Sequence, residues 1–272
     1  MPKIGMAGSS LMLMSWKDAL QEAIKHSFQA FEIFTEFPQC VCEEVTEEQR
    51  QSAREEIGSS GISLAVHAPF TSLNVAALNP GIRRESVRQH KAAVDLCADL
   101  SGSAVIMHNG EYVYSERLRD KASRAFQMQW DLNLESITEI CGHAEKRGVT
   151  LCLENIGFEP EHMDRGVDDL LKIKEKVPAL SFCLDIGHAR LNDELEYAIS
   201  RLRPYTRHIH FTDNMGKRDD HLAIGEGNFD YTPYLDYFRN FEGIMTLEVV
   251  NIGTDPAPAV NSKKYVEKLL GI

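Results

Sequence analysis

Leu180-Ser181-Phe182-Cys183-Leu184-Asp185-Ile186-Gly187-His188 decides how this chain is read. Five residues of strand-forming character, four of them apolar, run straight into a carboxylate, and an imidazole follows three positions later. A carboxylate so close to an apolar run is costly unless a cation or a hydrogen-bond donor meets it. The same design occurs at Val149–Leu153, which leads into Glu154, and at Ile244–Val249, which contains Glu248. Ile62–Val66 leads into His67, Ala104–Met107 into His108, and the strand beginning at His208 carries His210. Six successive strand-like runs therefore end in a residue type that ligates metals.

Working outward, these runs alternate with helical stretches. Further strands are expected at Lys3–Ala7 and Ala30–Phe34. Helices are expected from Ser15, an N-cap, and from Thr46-Glu47-Glu48-Gln49, a capping box. Others are expected over Ile82–Leu100, Glu116–Arg147 with Gly148 as its C-cap, Val167–Val177, Asp193–Leu202, Pro233–Arg239 and Pro258–Leu270. The longest connection is expected between Asn74 and Ile82. Eight strand–helix units in 272 residues predict a single α/β domain, a closed (β/α)8 barrel over 1–272. No Gly-x-Gly-x-x-Gly follows the first strand, so a dinucleotide-binding sheet loses its main support.

In such a barrel the active site lies at the C-terminal ends of the strands. The candidate metal ligands are His67, His108, Glu154, Asp185, His188, His210, Asp219, His221 and Glu248. Asp219 and His221 stand two apart in a loop, a spacing that turns both side chains the same way in extended chain. Imidazole and carboxylate together suit a divalent cation such as zinc, manganese or iron(II), with more than one ion compatible with nine donors. His208 shares a face with His210 and lies deeper in the barrel. His26, His90, His143 and His162, on helical or polar stretches, read as surface residues. Trp16, Phe34, Phe70 and Tyr112 are candidate substrate contacts on the loops.

With 29 Lys+Arg against 41 Asp+Glu, the chain carries a net charge of −12, which argues against a broad phosphate-gripping surface. No run is apolar and long enough for a transmembrane helix. Met1-Pro2-Lys3-Ile4-Gly5 has no signal-peptide pattern, so a cytoplasmic protein is expected. The six cysteines show no zinc-knuckle spacing and read as reduced, buried thiols, with Cys40-Val41-Cys42 the one conceivable pair.

The motifs His67-Ala68-Pro69-Phe70, Leu153-Glu154-Asn155, Asp185-Ile186-Gly187-His188, His208-Ile209-His210-Phe211-Thr212-Asp213-Asn214, Asp219-Asp220-His221-Leu222-Ala223-Ile224-Gly225-Glu226-Gly227 and Leu247-Glu248 resemble the xylose isomerase-like TIM-barrel superfamily over nearly the whole chain. That superfamily holds sugar and sugar-phosphate isomerases and epimerases together with endonuclease IV. Resemblance to the epimerase branch implies one divalent metal on Glu154, Asp185, His210 and Glu248. It also implies the two glutamates as acid and base, and His188 as a sugar contact. Resemblance to endonuclease IV implies three zinc ions on all nine residues and cleavage of abasic DNA, the one reading that brings in nucleic acid. Three departures favour the isomerase branch. Ile186-Gly187 stands where endonuclease IV usually has Thr-Cys, Asn109 replaces the proline of His-Pro-Gly, and Phe70 stands where a DNA-contacting tyrosine is common. The expected partner is therefore a small sugar or sugar phosphate, with no membrane and with a homo-oligomer compatible.

Overall fold

The computed structural model describes residues 1–114, 118, 121, 123–156, 161–164 and 166–272. Eight strands close into a barrel in chain order, every neighbouring pair parallel. They are β1 (Lys3–Ala7), β2 (Ala30–Phe34), β3 (Ser63–His67), β4 (Ala104–Met107), β5 (Thr150–Glu154), β6 (Ser181–Asp185), β7 (Thr206–Phe211) and β8 (Ile244–Leu247). Around them lie α1 (Trp16–Lys25), α2 (Glu47–Ser60), α3 (Pro80–Asp99), α4 (Ser123–Arg147), α5 (Val167–Lys176), α6 (Ile186–Leu191), α7 (Leu195–Leu202), α8 (Leu235–Arg239) and α9 (Ala257–Leu270).

Local chemistry fixes the helix starts. The Ser15 hydroxyl accepts from the Asp18 N–H at 3.2 Å. Thr46 and Gln49 satisfy each other's backbone N–H groups in a capping box. Asn79 caps α3, whose first residue, Pro80, has no N–H to satisfy.

The strands alternate with period two. Phe31, Ile33, Leu64, Val66, Val105, Leu151, Leu153, Phe182, Leu184, Ile209 and Leu247 join the large apolar core shared with the helices. The alternate positions form a separate small cluster inside the barrel, including Ala30, Ala65, Cys152, Cys183 and Ile244. Two residues further along, the same inward columns become Glu32, His67, Glu154, Asp185 and Thr246. One pleat step thus changes the barrel interior from small and apolar to ionisable.

The differences from the sequence reading are local. The proposed helix start at Glu116 lies outside the described residues, and the described helix begins at Ser123. Between β6 and β7 there are two helices, because the Asp185 side chain itself caps α6 immediately after its strand. The strand expected at Ile244–Val249 ends at Leu247, one residue before Glu248. Residues 212–231, after β7, form a longer connection than Asn74–Ile82. His90 is buried rather than superficial, its Nδ1 bonded to the Ser86 carbonyl at 2.7 Å within α3, and burial holds its pKa down at about 4. His162 is buried too, bridged through its backbone to Glu111. All six cysteines are buried and free; burial pushes the Cys42 thiol up to about 12, which leaves it an inert neutral group.

Candidate metal centre

The barrel brings all nine expected donors to one mouth, where they form three groups whose ligand atoms lie within 4.8 Å of one another. Glu154, Asp185, His210 and Glu248 make a fully buried group near the barrel axis. His67 and His108 join Glu154 in a second, and His188, Asp219 and His221 make a third that is partly open. Glu154 bridges the first two. Its Oε2 faces His67 Nε2 at 3.4 Å and His108 Nε2 at 3.3 Å, while its Oε1 faces His210 Nδ1 at 3.1 Å. Glu248 Oε2 meets the same His210 Nδ1 at 3.1 Å. In the third group the Asp219 Oδ2 lies 3.1 Å from His188 Nε2 and 2.7 Å from His221 Nε2.

Strand register sets the axial group, since Asp185 pairs with His210, and His210 with Thr246, two residues before Glu248. Asn155 locks the end of β5 to that of β6: its Oδ1 accepts from the Asp185 N–H at 2.8 Å and its amide donates to the Asp185 carbonyl at 2.9 Å. Asp185 Oδ1 accepts from the His188 N–H at 2.8 Å and from the Thr212 hydroxyl at 2.9 Å. That cap starts α6 and places His188 one turn above its own strand.

The imidazoles are oriented as ligands need to be. The Nδ1 of His67 lies 2.9 Å from the Ala68 carbonyl, that of His188 2.9 Å from the Asn155 carbonyl, and that of His221 3.2 Å from the Glu248 carbonyl. A carbonyl accepts only, so each Nδ1 carries a proton and each Nε2 is turned toward the carboxylates. His210 is reversed, with Nδ1 facing the centre.

Three oxygens of the site, Asp185 Oδ2, Asp219 Oδ1 and Glu248 Oε2, are buried without a hydrogen bond. Buried oxygens of this kind require a cation or a donor. The donor set therefore fits divalent metal of the zinc or manganese type. Burial raises the Asp185 carboxyl to about 6, helped by the charges of Glu154 and Glu248 against the pull of His188. Burial opposes charge on His221, but Glu248 and Asp219 outweigh it and lift its pKa to about 9. Asp219 moves the other way: its hydrogen bonds to His188 and His221 overcome desolvation and hold its carboxyl far below the usual range. His210 also joins Cys183 and His208, which lie deeper in the barrel, in a further trio, where burial keeps the thiol protonated.

Above the donors is a cavity of about 420 Å³. Its walls are apolar, built by Met12, Phe34, Phe70, Leu73, Ile156 and Val250. Phe70 stacks on the His108 ring with centroids 4.5 Å apart. Two expected contacts are corrected. Trp16, at the first turn of α1, turns its indole into the core and does not line the cavity. Tyr112 is buried against Ala76, Phe126 and Met163 instead. One ionisable residue went unread in the sequence: Glu32, inside the apolar run of β2, is buried beneath His210. The signal that singled out Glu154, a carboxylate within a strand, was present there too.

Comparison with known proteins agrees with this geometry. A family model described as a xylose isomerase-like TIM barrel matches residues 20–269. An uncharacterised protein of Methanocaldococcus jannaschii is 28% identical over 285 residues, covering 99% of this chain and 90% of the relative. A protein named "Probable endonuclease 4" from Mycobacterium leprae is 26% identical over 182 residues, covering 63% of this chain and 67% of the relative. Among solved structures, a D-tagatose 3-epimerase-like protein superposes with a TM-score of 0.84 at 26% identity, covering 99% of this chain and 97% of that one.

Proposed function

The chain belongs to the xylose isomerase-like TIM-barrel family, and on that premise we propose that it is a metal-dependent isomerase or epimerase of a small sugar or sugar phosphate. The reading takes residues 1–272 as one catalytic domain. The observation that carries it is the convergence of Glu154 and Glu248 on one imidazole nitrogen, 3.1 Å from each, at the floor of a cleft of small-molecule size. Two carboxylates that meet a bound substrate from different strands can take a proton from one carbon and deliver one elsewhere.

Glu154, Asp185, His210 and Glu248 would hold the cation. Bound there, a divalent metal supplies Lewis acidity that draws charge from a carbonyl and the hydroxyl beside it, which acidifies the intervening C–H bond. One glutamate removes that proton. The other returns a proton to the opposite face or to the neighbouring carbon. His188, held by the Asn155 carbonyl, would bond a substrate hydroxyl, and Phe34 and Phe70, on the cavity wall, would exclude water from the reacting carbon. Solvent-deuterium incorporation into a ketose tests the reading: the metal-loaded protein should label the carbon next to the carbonyl. Failure to label or convert any of a panel of ketoses and their phosphates would sink it.

The assembly of nine donors in three groups favours a second reading, a three-zinc phosphodiesterase acting on abasic DNA. Against it stand the net charge of −12 and a cavity with no Lys or Arg among its described lining residues. Cleavage of an abasic duplex, lost in both His67→Ala and His108→Ala, would establish it instead.

A further inference from the structure

We infer that Glu32 is a positioning residue that dictates which nitrogen of His210 is offered to the metal. The inference rests on the metal-binding reading above. Three imidazoles of the site, His67, His188 and His221, are anchored through Nδ1 to backbone carbonyls, and their Nε2 atoms face the carboxylates. His210 has no such carbonyl. Its anchor is a side chain: Nε2 lies 3.1 Å from Glu32 Oε1 and 3.3 Å from Oε2, on the side of the ring away from Glu154 and Glu248.

A carboxylate accepts hydrogen bonds and donates none when ionised, so the ring nitrogen that faces Glu32, Nε2, carries a proton. Nδ1 faces two further carboxylate oxygens, each 3.1 Å away, so the metal-free ring is flanked by acceptors on both sides and is protonated on both nitrogens. A cation held by Glu154, Asp185 and Glu248 would take the place of the Nδ1 proton, while Glu32 keeps the one on Nε2. A carboxylate behind a ligating imidazole also makes the ring a stronger donor.

Glu32 cannot swing away from this task. It is 2% exposed, and its Oε2 accepts from the Thr246 hydroxyl at 3.0 Å and lies 2.8 Å from His208 Nε2. Among the described residues Glu32 joins none of the groups able to hold a metal, so it acts through His210. Chain geometry explains the position. Glu32 stands one pleat above Ala30 on the inward face of β2, and Thr246 stands one pleat above Ile244 on β8. Glu32, His208 and Thr246 therefore form a mutually bonded trio behind His210.

The test is zinc binding by chelator competition, with nitrogen-15 histidine spectra of the zinc-loaded protein. Wild type should bind zinc with His210 ligating through Nδ1 and protonated at Nε2. Glu32→Gln keeps the side-chain shape but removes the charge, and should weaken zinc binding about 10- to 100-fold. His210 should then lose its single tautomer while His67 keeps its own. Thr246→Val, nearly isosteric, loosens Glu32 by removing its hydroxyl partner, leaves the His210 side chain in place, and should weaken binding about three- to tenfold, which reads the same support if the Gln variant misfolds. Unchanged zinc affinity in both variants, or ligation of wild-type His210 through Nε2, would overturn the inference with the metal reading intact. A wild-type protein that binds no zinc would overturn both.

Discussion

Asp185 and His210 stand at paired positions on neighbouring strands, whereas Asp219 and His221 reach the same mouth on the long connection after β7. The first pair is fully buried and its spacing is set by the ladder of hydrogen bonds. The second is partly open, and its spacing depends on how residues 212–231 fold back. His221 even holds a left-handed backbone conformation, φ 44°, a state that costs a non-glycine residue about 1–3 kcal/mol. It is kept there by the N–H of Val250 bonded to its carbonyl and by the bridge between Asp213 and Leu222. The axial group is thus a product of secondary structure and the outer trio a product of loop folding. The first should bind metal more rigidly and the second more conditionally.

The largest effect should come from the residue common to two groups. Glu154→Gln removes a donor shared by the axial and the His67–His108 groups, and should lower proton exchange at the reacting carbon by about 10²-fold or more. Elemental analysis of the same sample should show metal lost from both. A variant that stays fully loaded and exchanges at the wild-type rate would deny Glu154 its acid–base role. Next, His67→Ala and His108→Ala should each release metal from their own group and leave one ion on the axial donors, with the fold unchanged by circular dichroism. Loss of all metal would mean that the groups are not separable.

A smaller, pH-dependent effect should belong to the outer trio alone. Its His221 is raised from 6.5 to about 9 in the folded chain, so in metal-free protein its ion pair with Asp219 stabilises fully below pH 6.5. That contribution should fade as pH rises from 6.5 through about 9. Melting temperature measured across this range should fall more in wild type than in His221→Ala. Zinc must displace the same proton, so its affinity for the trio should climb with pH up to about 9 and then level off. The smallest effect on function should come from Trp16→Ala. Core truncation of this kind costs about 3–5 kcal/mol of stability, yet KM should stay within about twofold of wild type because the indole does not line the cavity. Phe70→Ala, on the cavity wall, should raise KM instead.

The barrel and its axial donors were legible because strand periodicity is local. An apolar run of five residues that ends in Glu154 or Asp185 states its own secondary structure, and a parallel barrel has one end at which such residues can meet. Glu32 carried the same mark but stood in mid-strand rather than at the end, so reading the strand ends passed over it. His90, amid the polar residues of α3, gave no local sign of burial, since whether a helix face is covered depends on its neighbours. Ser15 fixes where α1 starts but not which way its first side chain turns, so only the packed structure shows the Trp16 indole entering the core.

What the sequence determined by itself was therefore the eight-unit barrel, the strand boundaries to within a residue or two, and the nine candidate donors, all properties of short-range pattern. Tertiary structure alone decided that the nine divide into three groups with Glu154 shared. It alone decided that Asp185 caps a helix carrying His188, that residues 212–231 return Asp219 and His221 to the mouth, and that Glu32 stands behind His210. Apart from the Asp185 cap, three residues from His188, these are contacts between residues distant in the chain. Their distances follow from barrel closure and strand register, which no local stretch encodes.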